Sequence, residues 1–292
     1  MRNIGMVGIG LMGHGIASNL LRHGHRLAVF EHPGNQPLDA LVAAGATVHQ
    51  KLSDLAAASD VVITVLTGSP QVEEVLCGPQ GILTGLRPGS VVIDCSTAIP
   101  SSTLRVAEAV TRAGSRFLDA PMTRTPKEAA EGRLNLLVGG DAALLGECEP
   151  LLRCFAENIT HAGPVGAGHG MKLLHNFVSL GMVTLIAEAA ACAQLHGVTP
   201  EVFVDVLARG GAGGVALQRM QPGLLHGDAS GLRFSVANAL KDLSYYQTMA
   251  HDASAQHRIA DAMCDTVRLL VERGHGQEMV PRLAALLSPT AA

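Results

Sequence analysis

The chain has no run of lysines or arginines, although it contains 21 of them among 292 residues. Its 25 acidic residues give a formal net charge of -4, and this balance argues against a nucleic acid or a polybasic membrane contact. A small anionic substrate stays compatible with the composition, because one well-placed arginine or lysine is enough to bind it.

Metal-binding signatures are absent as well. The six cysteines contain no C-x-x-C pair, and the 13 histidines include no H-E-x-x-H and no Cys/His zinc spacing. We therefore predict no structural metal. We expect the cysteines to be small buried apolar residues in a reducing compartment.

We also expect no signal peptide, because the first residues lead directly into a strand-like run. The longest apolar stretch, residues 180–195, is interrupted by Glu188 and is predicted to be too short for a membrane span. These absences predict a cytoplasmic protein without a membrane partner. Its 48% of hydrophobic residues can form a substantial core, in one large domain or two ordinary ones.

A glycine-rich turn follows the first apolar run. Gly8, Gly10 and Gly13 form G-x-G-x-x-G between a strand-like and a helical segment, which is the context of the dinucleotide fingerprint. Gly8 is expected to allow the tight turn, Gly10 the approach of a pyrophosphate, and Gly13 the close packing of helix and strand. The phosphates would bind at the helix N-terminus, where free N–H groups favour anions. A chance glycine-rich turn is the alternative.

Glu31 ends the second predicted strand, 18 residues after Gly13. This is close to the spacing expected for the acid that binds the adenosine ribose. A carboxylate accepts hydrogen bonds from both ribose hydroxyls and repels a 2′-phosphate, and no arginine follows in the next residues. The sequence therefore favours NAD over NADP, unless Glu31 is only a solvated strand end.

Apolar strands and helices alternate up to about residue 152. This pattern predicts an α/β fold with a doubly wound Rossmann-type parallel sheet, in which ligands bind at the carboxyl ends of the strands. Ser96 and Thr97 could instead cap the helix that follows them. The strand-end candidates for ligand contact are Leu66, Thr67, Ser96, Thr97 and residues 120–125.

Arg124 lies in a polar loop between two prolines, after a predicted strand. A solvated surface charge is the usual role of an arginine. At the carboxyl end of a strand, however, its planar guanidinium suits a carboxylate, sulfonate or phosphate. We favour the ligand-binding interpretation on the ground of this position.

Strands disappear in the second half, where helices are predicted at residues 171–196, 200–207, 232–252, 257–273 and 281–287. The change predicts two domains: a Rossmann-like NAD-binding domain at residues 1–164 and an all-helical substrate and oligomerisation domain at residues 165–292. Residues 163–168 are interpreted as a linker and helix entry, because no acidic ribose partner follows their glycines.

Lys172 and Asn176 are four residues apart at the start of the long helix. This spacing puts a cation and an amide on one helical face, where both can bind the same small oxygen-bearing ligand. Lys241 is a second candidate cation. It either pairs with Asp242 or with solvent, or it reaches the cofactor.

Taken together, these motifs resemble the β-hydroxyacid dehydrogenases, the group that contains 3-hydroxyisobutyrate dehydrogenase and tartronate semialdehyde reductase. The resemblance covers nearly the whole chain. It rests on the glycine fingerprint, Asp94-x-Ser96-Thr97, Asp119-Ala120-Pro121 with Ala129 and Gly132, Gly163-x-x-Gly166-x-Gly168 with Lys172-x-x-x-Asn176, and Lys241-Asp242.

The resemblance implies NAD-dependent interconversion of a small 3-hydroxy acid and its semialdehyde. Lys172 is the implied general acid/base, and Asn176 the residue that holds the lysine or the substrate. It further implies that the long helix joins the two domains and that the helical half forms a homodimer or homotetramer. The implied NAD contacts, beside the glycines and Thr67 named above, are Leu11, Met12, Glu31, Leu66, Thr97 and Lys241.

One departure concerns the substrate loop. The family usually has Ser-Gly-Gly where this chain has Thr123, Arg124 and Thr125. An Arg-Thr pair resembles the sulfolactaldehyde reductases of the same family, in which the arginine meets the sulfonate, and this activity stays an alternative. A non-catalytic NAD-binding protein and an imine reductase are further alternatives, which the intact glycine turn and Lys172 argue against.

Overall fold

The computed structural model describes residues 2–288. Residue 1 and residues 289–292, the outer ends of the two predicted domains, lie outside the described residues. The chain divides into two compact units, one that runs up to Lys172 and one that begins at Leu173.

The first unit is built on a nine-stranded sheet. Strand order is 3-2-1-4-5-6-8-7, with β9 beside β8, and its first six positions follow the dinucleotide-binding order. The predicted doubly wound α/β sheet is confirmed, with an extension in which β8 is antiparallel to β6 and β7. The strands are β1 (Asn3–Val7), β2 (Arg26–Phe30), β3 (Thr47–His49), β4 (Val61–Thr64), β5 (Val91–Asp94), β6 (Arg116–Asp119), β7 (Met122–Thr123), β8 (Leu134–Gly139) and β9 (Ala156–Gly163).

Both faces of this sheet are buried. In β4, Val62 belongs to one apolar core and Ile63 to another, because successive strand residues point to opposite faces. Strands that are covered on both sides need apolar residues throughout, which is why β4 and β5 read as continuous apolar runs. The covering helices are α1 (Leu11–Arg22), α2 (Asp39–Ala43), α3 (Leu52–Ala57), α4 (Ser69–Cys77), α5 (Pro100–Arg112), α6 (Pro126–Glu131) and α7 (Ala142–Leu152).

The second unit is helical, as predicted. Its core includes Leu180 and Ala187 of the long helix and Leu243 and Val267 from later helices. The helices are α8 (Ala167–Leu195), α9 (Pro200–Arg209), α10 (Val215–His226), α11 (Val236–Asp252), α12 (Arg258–Leu270) and α13 (Leu283–Leu287).

Helix α8 corrects one expectation. It has 29 residues, so the prediction that this segment is too short for a membrane span is wrong: by length and composition alone the helix could cross one. Its most apolar window is 44% buried, however, and Leu180, Val183 and Ala187 pack in the core of the second unit. One face of the helix therefore belongs to the core of the second unit.

Candidate active site

The glycine fingerprint has the predicted strand–turn–helix context, between the end of β1 and the start of α1. Gly8 has φ +95°, and a Cβ there would overlap the carbonyl oxygen of Val65 in the neighbouring β4 segment. At Gly13 a Cβ would overlap the carbonyl of Gly8, whereas the space above Gly10 is open. Leu11 is 66% exposed. An open backbone at a helix N-terminus fits a pyrophosphate.

Asn35 ties this turn to the end of β2. Its Oδ1 accepts the Ile9 N–H at 3.2 Å, and its Nδ2 donates to the Phe30 carbonyl at 2.9 Å. The adjacent Gln36 N–H donates to the Ile9 carbonyl at 2.7 Å. The loop that follows Glu31 is therefore bonded directly to the glycine turn.

Glu31 itself is exposed at the end of β2, as the ribose-binding role requires. Its Oε2 accepts a hydrogen bond from Gln50 Nε2 at 3.1 Å. Gln50 also lines an open cavity of about 540 Å³ in the first unit, between the end of β2 and helix α4. Phe30, Gln50 and Val75 give this cavity apolar and polar walls, which suits the adenosine half of a dinucleotide.

Buried and partly buried hydrogen bonds join the ends of β4 and β5. Ser96 Oγ accepts the Leu66 N–H at 2.9 Å, so Ser96 holds the β4 end and does not cap α5. Asp94 Oδ1 accepts from Thr64 Oγ1 at 2.8 Å and from the Ser96 N–H at 3.0 Å. These bonds fix the backbone beside Thr67 and Thr97, which lie at the carboxyl edge of the sheet.

The predicted substrate loop, Thr123 to Thr125, is held by side chains of β8 and β9. Asn135 donates to the Thr123 hydroxyl, and the Arg124 guanidinium binds Glu157 and the Arg133 carbonyl. The ion pair with Arg124 lowers the pKa of Glu157. Arg124 has φ +82°, a left-handed backbone that favours glycine, and its side chain is 29% exposed.

Thr125 begins helix α6 as a capping box. Its side chain accepts the Lys127 N–H at 3.3 Å, and Glu128 accepts the backbone N–H of Thr125 at 3.0 Å. A hydrogen bond from the Thr125 hydroxyl lowers the pKa of Glu128. In the structure, Thr125 therefore caps helix α6, and Arg124 binds Glu157.

Helix α8 is anchored to the sheet by Asp119. One carboxylate oxygen accepts the Gly166 N–H and the other the His169 N–H, both at 2.8 Å and both buried. A Cβ at Gly168 would overlap the Leu137 carbonyl, so only glycine permits this approach. The glycines interpreted as a linker are thus the docking point of the helix, and α8 begins at Ala167. Lys172 lies one turn after His169.

Asn176 is buried one turn beyond Lys172. Its Nδ2 donates to Asp242 Oδ2 at 2.5 Å, and its Oδ1 lies 3.0 Å from His175 Nδ1. Lys241 Nζ lies 3.1 Å from Asp242 Oδ1 and 5.5 Å from the Tyr245 ring centroid. In the second unit, Asp242 therefore joins two of the predicted residues.

Comparison with known protein families identifies the family to which the chain belongs. Residues 3–163 match the model of the NAD-binding domain of 6-phosphogluconate dehydrogenase. Residues 166–286 match the model described as NAD-binding of NADP-dependent 3-hydroxyisobutyrate dehydrogenase. The chain belongs to the β-hydroxyacid dehydrogenase family. As a member of it, the protein is an oxidoreductase that acts on CH–OH groups with a nicotinamide cofactor, which confirms the enzyme prediction.

Three relatives illustrate the likeness. An NAD-dependent L-serine dehydrogenase of Pseudomonas aeruginosa is 33% identical, over 99% of both chains. A 2-(hydroxymethyl)glutarate dehydrogenase of Eubacterium barkeri is 32% identical over 78% of this chain and 76% of that one. A Mycobacterium tuberculosis 3-hydroxyisobutyrate dehydrogenase structure with L-serine superimposes with a TM-score of 0.88 and 27% identity, and covers 99% of this chain and 100% of that one.

Proposed function

We propose that the enzyme interconverts a small 3-hydroxy acid and its semialdehyde with NAD, and that Lys172 is the general acid/base. The observation that carries the proposal is the anchoring of α8. Asp119 bonds the first turn of this helix to the end of β6, so Lys172 follows a fixed turn beside the carboxyl edge of the nucleotide-binding sheet.

A bound nicotinamide would supply the hydride acceptor for the alcohol carbon and the hydride donor for the carbonyl carbon. In the oxidising direction, neutral Lys172 takes the proton of the substrate hydroxyl. In the reducing direction, its ammonium protonates the developing alkoxide. Asn176 orients the lysine or the substrate hydroxyl, and Thr123 donates to the acid group. These two contacts reduce the entropy cost of aligning the reacting carbon of the substrate.

NAD is the proposed cofactor because of Glu31. Its carboxylate, exposed at the end of β2, can accept the two ribose hydroxyls, whereas it would repel the extra phosphate of NADP. The glycine turn, the open space above Gly10 and Leu11–Met12 would hold the pyrophosphate. Leu66, Thr67 and Thr97 would contact the rest of the dinucleotide at the ends of β4 and β5.

A carboxylate substrate is favoured over a sulfonate. The guanidinium of Arg124 is bonded to Glu157 and to the Arg133 carbonyl, so a sulfonate would have to compete with a carboxylate already in place. The relatives named for L-serine, 2-(hydroxymethyl)glutarate and 3-hydroxyisobutyrate suggest which substrates to test first. The sulfolactaldehyde reductase activity stays the second candidate, because Arg124 occupies the loop position that carries it.

Initial rates with the purified protein test the proposal. The oxidation panel is L-serine, 3-hydroxyisobutyrate and 2-(hydroxymethyl)glutarate with NAD or NADP. The reduction panel is tartronate, methylmalonate and succinate semialdehydes and sulfolactaldehyde with NADH or NADPH. We expect one carboxylate substrate to exceed the sulfonate at least tenfold in kcat/KM, with NAD or NADH preferred. A sulfonate preference would select the second candidate, and no turnover with any member would reject the proposal.

We further propose that the protein is a homodimer or homotetramer. Helix α8 exposes Leu174, Val178, Met182 and Leu185, which recur at intervals of three or four residues. Such a stripe is typical of a helix that packs against a partner. Light scattering should give a dimeric or tetrameric mass that falls to the monomer in Val178→Glu; a monomeric wild type would contradict this.

A further inference from the structure

A chain of three polar side chains crosses strands β7, β8 and β9. Thr123 in β7 lies opposite Asn135 in the antiparallel β8, and Asn158 follows in β9. Asn158 Nδ2 donates to Asn135 Oδ1 at 2.9 Å, and Asn135 Nδ2 donates to Thr123 Oγ1 at 3.1 Å. Every link runs in the same direction, from the exposed Asn158 to the substrate loop.

This direction fixes which end of the Asn135 amide faces Thr123. An amide nitrogen can only donate and an amide oxygen can only accept. Because Asn158 occupies Oδ1 of Asn135, the NH2 group is turned to Thr123, and the Thr123 oxygen accepts. Among residues 2–288 the Thr123 hydroxyl makes no other side-chain hydrogen bond, so its hydrogen is directed away from Asn135.

The loop around Thr123 gives this hydroxyl a fixed position. Its backbone pairs with β8, the next side chain is bonded to Glu157 and to the Arg133 carbonyl, and Thr125 is held by the capping box of α6. The hydroxyl oxygen is therefore fixed, and only the hydroxyl hydrogen can rotate about the Cβ–Oγ1 bond. Because Asn135 donates to this oxygen, the hydrogen points away from Asn135, and Thr123 can donate it to a ligand.

We propose that Asn135 is a specificity-determining positioning residue, which keeps the Thr123 hydroxyl as a hydrogen-bond donor to the acid group of an anionic substrate. A hydroxyl that points its hydrogen outward stabilises a carboxylate, whereas one that points its lone pairs outward repels it. The inference rests on the proposed function. The structural alternative is a polar cross-strand pair that only stabilises the β7–β8 pairing.

The isosteric variant Asn135→Asp reverses the bond. A carboxylate at this position accepts the Thr123 hydrogen, so that only lone pairs face the substrate. We expect KM for the preferred carboxylate substrate to rise at least tenfold, while kcat and the Kd for NAD change less than twofold. A purely structural pair would leave KM unchanged and would lower only the thermal unfolding temperature.

The Thr123→Val background separates the hydroxyl from the added negative charge. In that background Asn135→Asp should have little further effect, because no hydroxyl is left to reverse. Asn158→Asp should also raise KM in the Thr123 protein, because a carboxylate at position 158 accepts from the Asn135 amide nitrogen and leaves Asn135 Oδ1 to face Thr123. If the tenfold effect of Asn135→Asp persists in Thr123→Val, charge alone is responsible and the inference is wrong.

Asn135→Ala keeps the test decisive if the aspartate variant does not fold. Without the amide donor the hydroxyl rotates freely, and KM should rise about threefold to tenfold. An unchanged KM in both folded variants overturns the inference and leaves the proposed function standing, whereas an inactive wild type rejects the proposed function itself.

Discussion

Asp119 accepts the backbone N–H of His169 at 2.8 Å, although 50 residues separate them in the sequence. The other oxygen of this carboxylate accepts the N–H of Gly166, so one side chain from the sheet caps the long helix. Negative charge at a helix N-terminus is favourable, and the bond is strong because it is buried and charged.

We predict that Asp119→Ala lowers the free energy of unfolding by about 2–4 kcal/mol, because two buried N–H groups lose their acceptor. Urea unfolding followed by circular dichroism measures this. Asp141→Ala is the matched control, since Asp141 caps α7 from within the same segment by accepting the Leu144 N–H at 2.8 Å. It should cost only about 1 kcal/mol. Equal losses in the two variants would contradict a special role of Asp119.

For Lys172, the expected loss is in the chemical step. Lys172→Ala should lower kcat by roughly 10²- to 10⁴-fold, because the proton has no positioned donor or acceptor. NADH binding, followed by its fluorescence, should change less than twofold. Lys172→Arg is the control for charge, and it should stay impaired because a guanidinium does not give up its proton. A near wild-type rate in the alanine variant would reject the catalytic assignment.

Asn35 should control cofactor affinity without touching the reacting groups. Asn35→Ala removes the two side-chain hydrogen bonds of Asn35, one with Ile9 and one with Phe30, and leaves only the backbone bond from Gln36 to Ile9. We expect the Kd for NAD to rise about tenfold, which corresponds to roughly 1.4 kcal/mol. KM for the substrate at saturating NAD should not change. The control is Asn3→Ala, whose side chain binds Asp60. A Kd within twofold of wild type would disprove the assignment.

The left-handed backbone of Arg124 predicts that two truncations of this side chain differ in their free energy of unfolding. Arg124→Gly and Arg124→Ala both lose the ion pair, but only glycine adopts φ +82° without a steric penalty. The glycine variant should therefore be about 1 kcal/mol more stable than the alanine variant in urea unfolding. The reverse order would show that the backbone at this position relaxes.

The Arg124–Glu157 pair also predicts a pH dependence. Because the pKa of Glu157 is lowered in the folded state, its ionised form contributes stability above the ordinary value of 4.5. That contribution is lost as the pH falls from 4.5 through the lower folded value. Wild type should therefore exceed Glu157→Gln in stability at pH 7, and the difference should shrink as the pH falls below 4.5. A difference that stays constant as the pH falls below 4.5 would have another cause.

The parts of the fold that were predictable have local signals. The apolar runs of β4 and β5 and the glycine turn of β1 need no knowledge of distant residues. Strand β9 was missed because half of its residues are exposed and only Ala156 is buried, so it lacks the expected apolar alternation. Helix α10 was missed because Pro222 lies inside it and breaks the expected helical pattern.

The residues that position the site were harder to predict, since each acts across long sequence separations. Nothing near Asp119 in the sequence indicates that it caps a helix at Ala167. Asn35 and Asn135 were missed for the same reason: amides are common in loops and at strand ends, and only their partners reveal a role. The roles of Lys172 and Asn176 come from the family resemblance and the helical spacing, and they stay predictions.

The contacts of Asn35 have a practical consequence for cofactor engineering. Exchanging the loop after β2 for one that carries an arginine is the direct way to convert an NAD enzyme to NADP. In this protein the same loop supports the Ile9 peptide, so an exchange that removes Asn35 would lower the affinity for NAD and NADP alike. A successful conversion would change Glu31 and its neighbours but keep the asparagine.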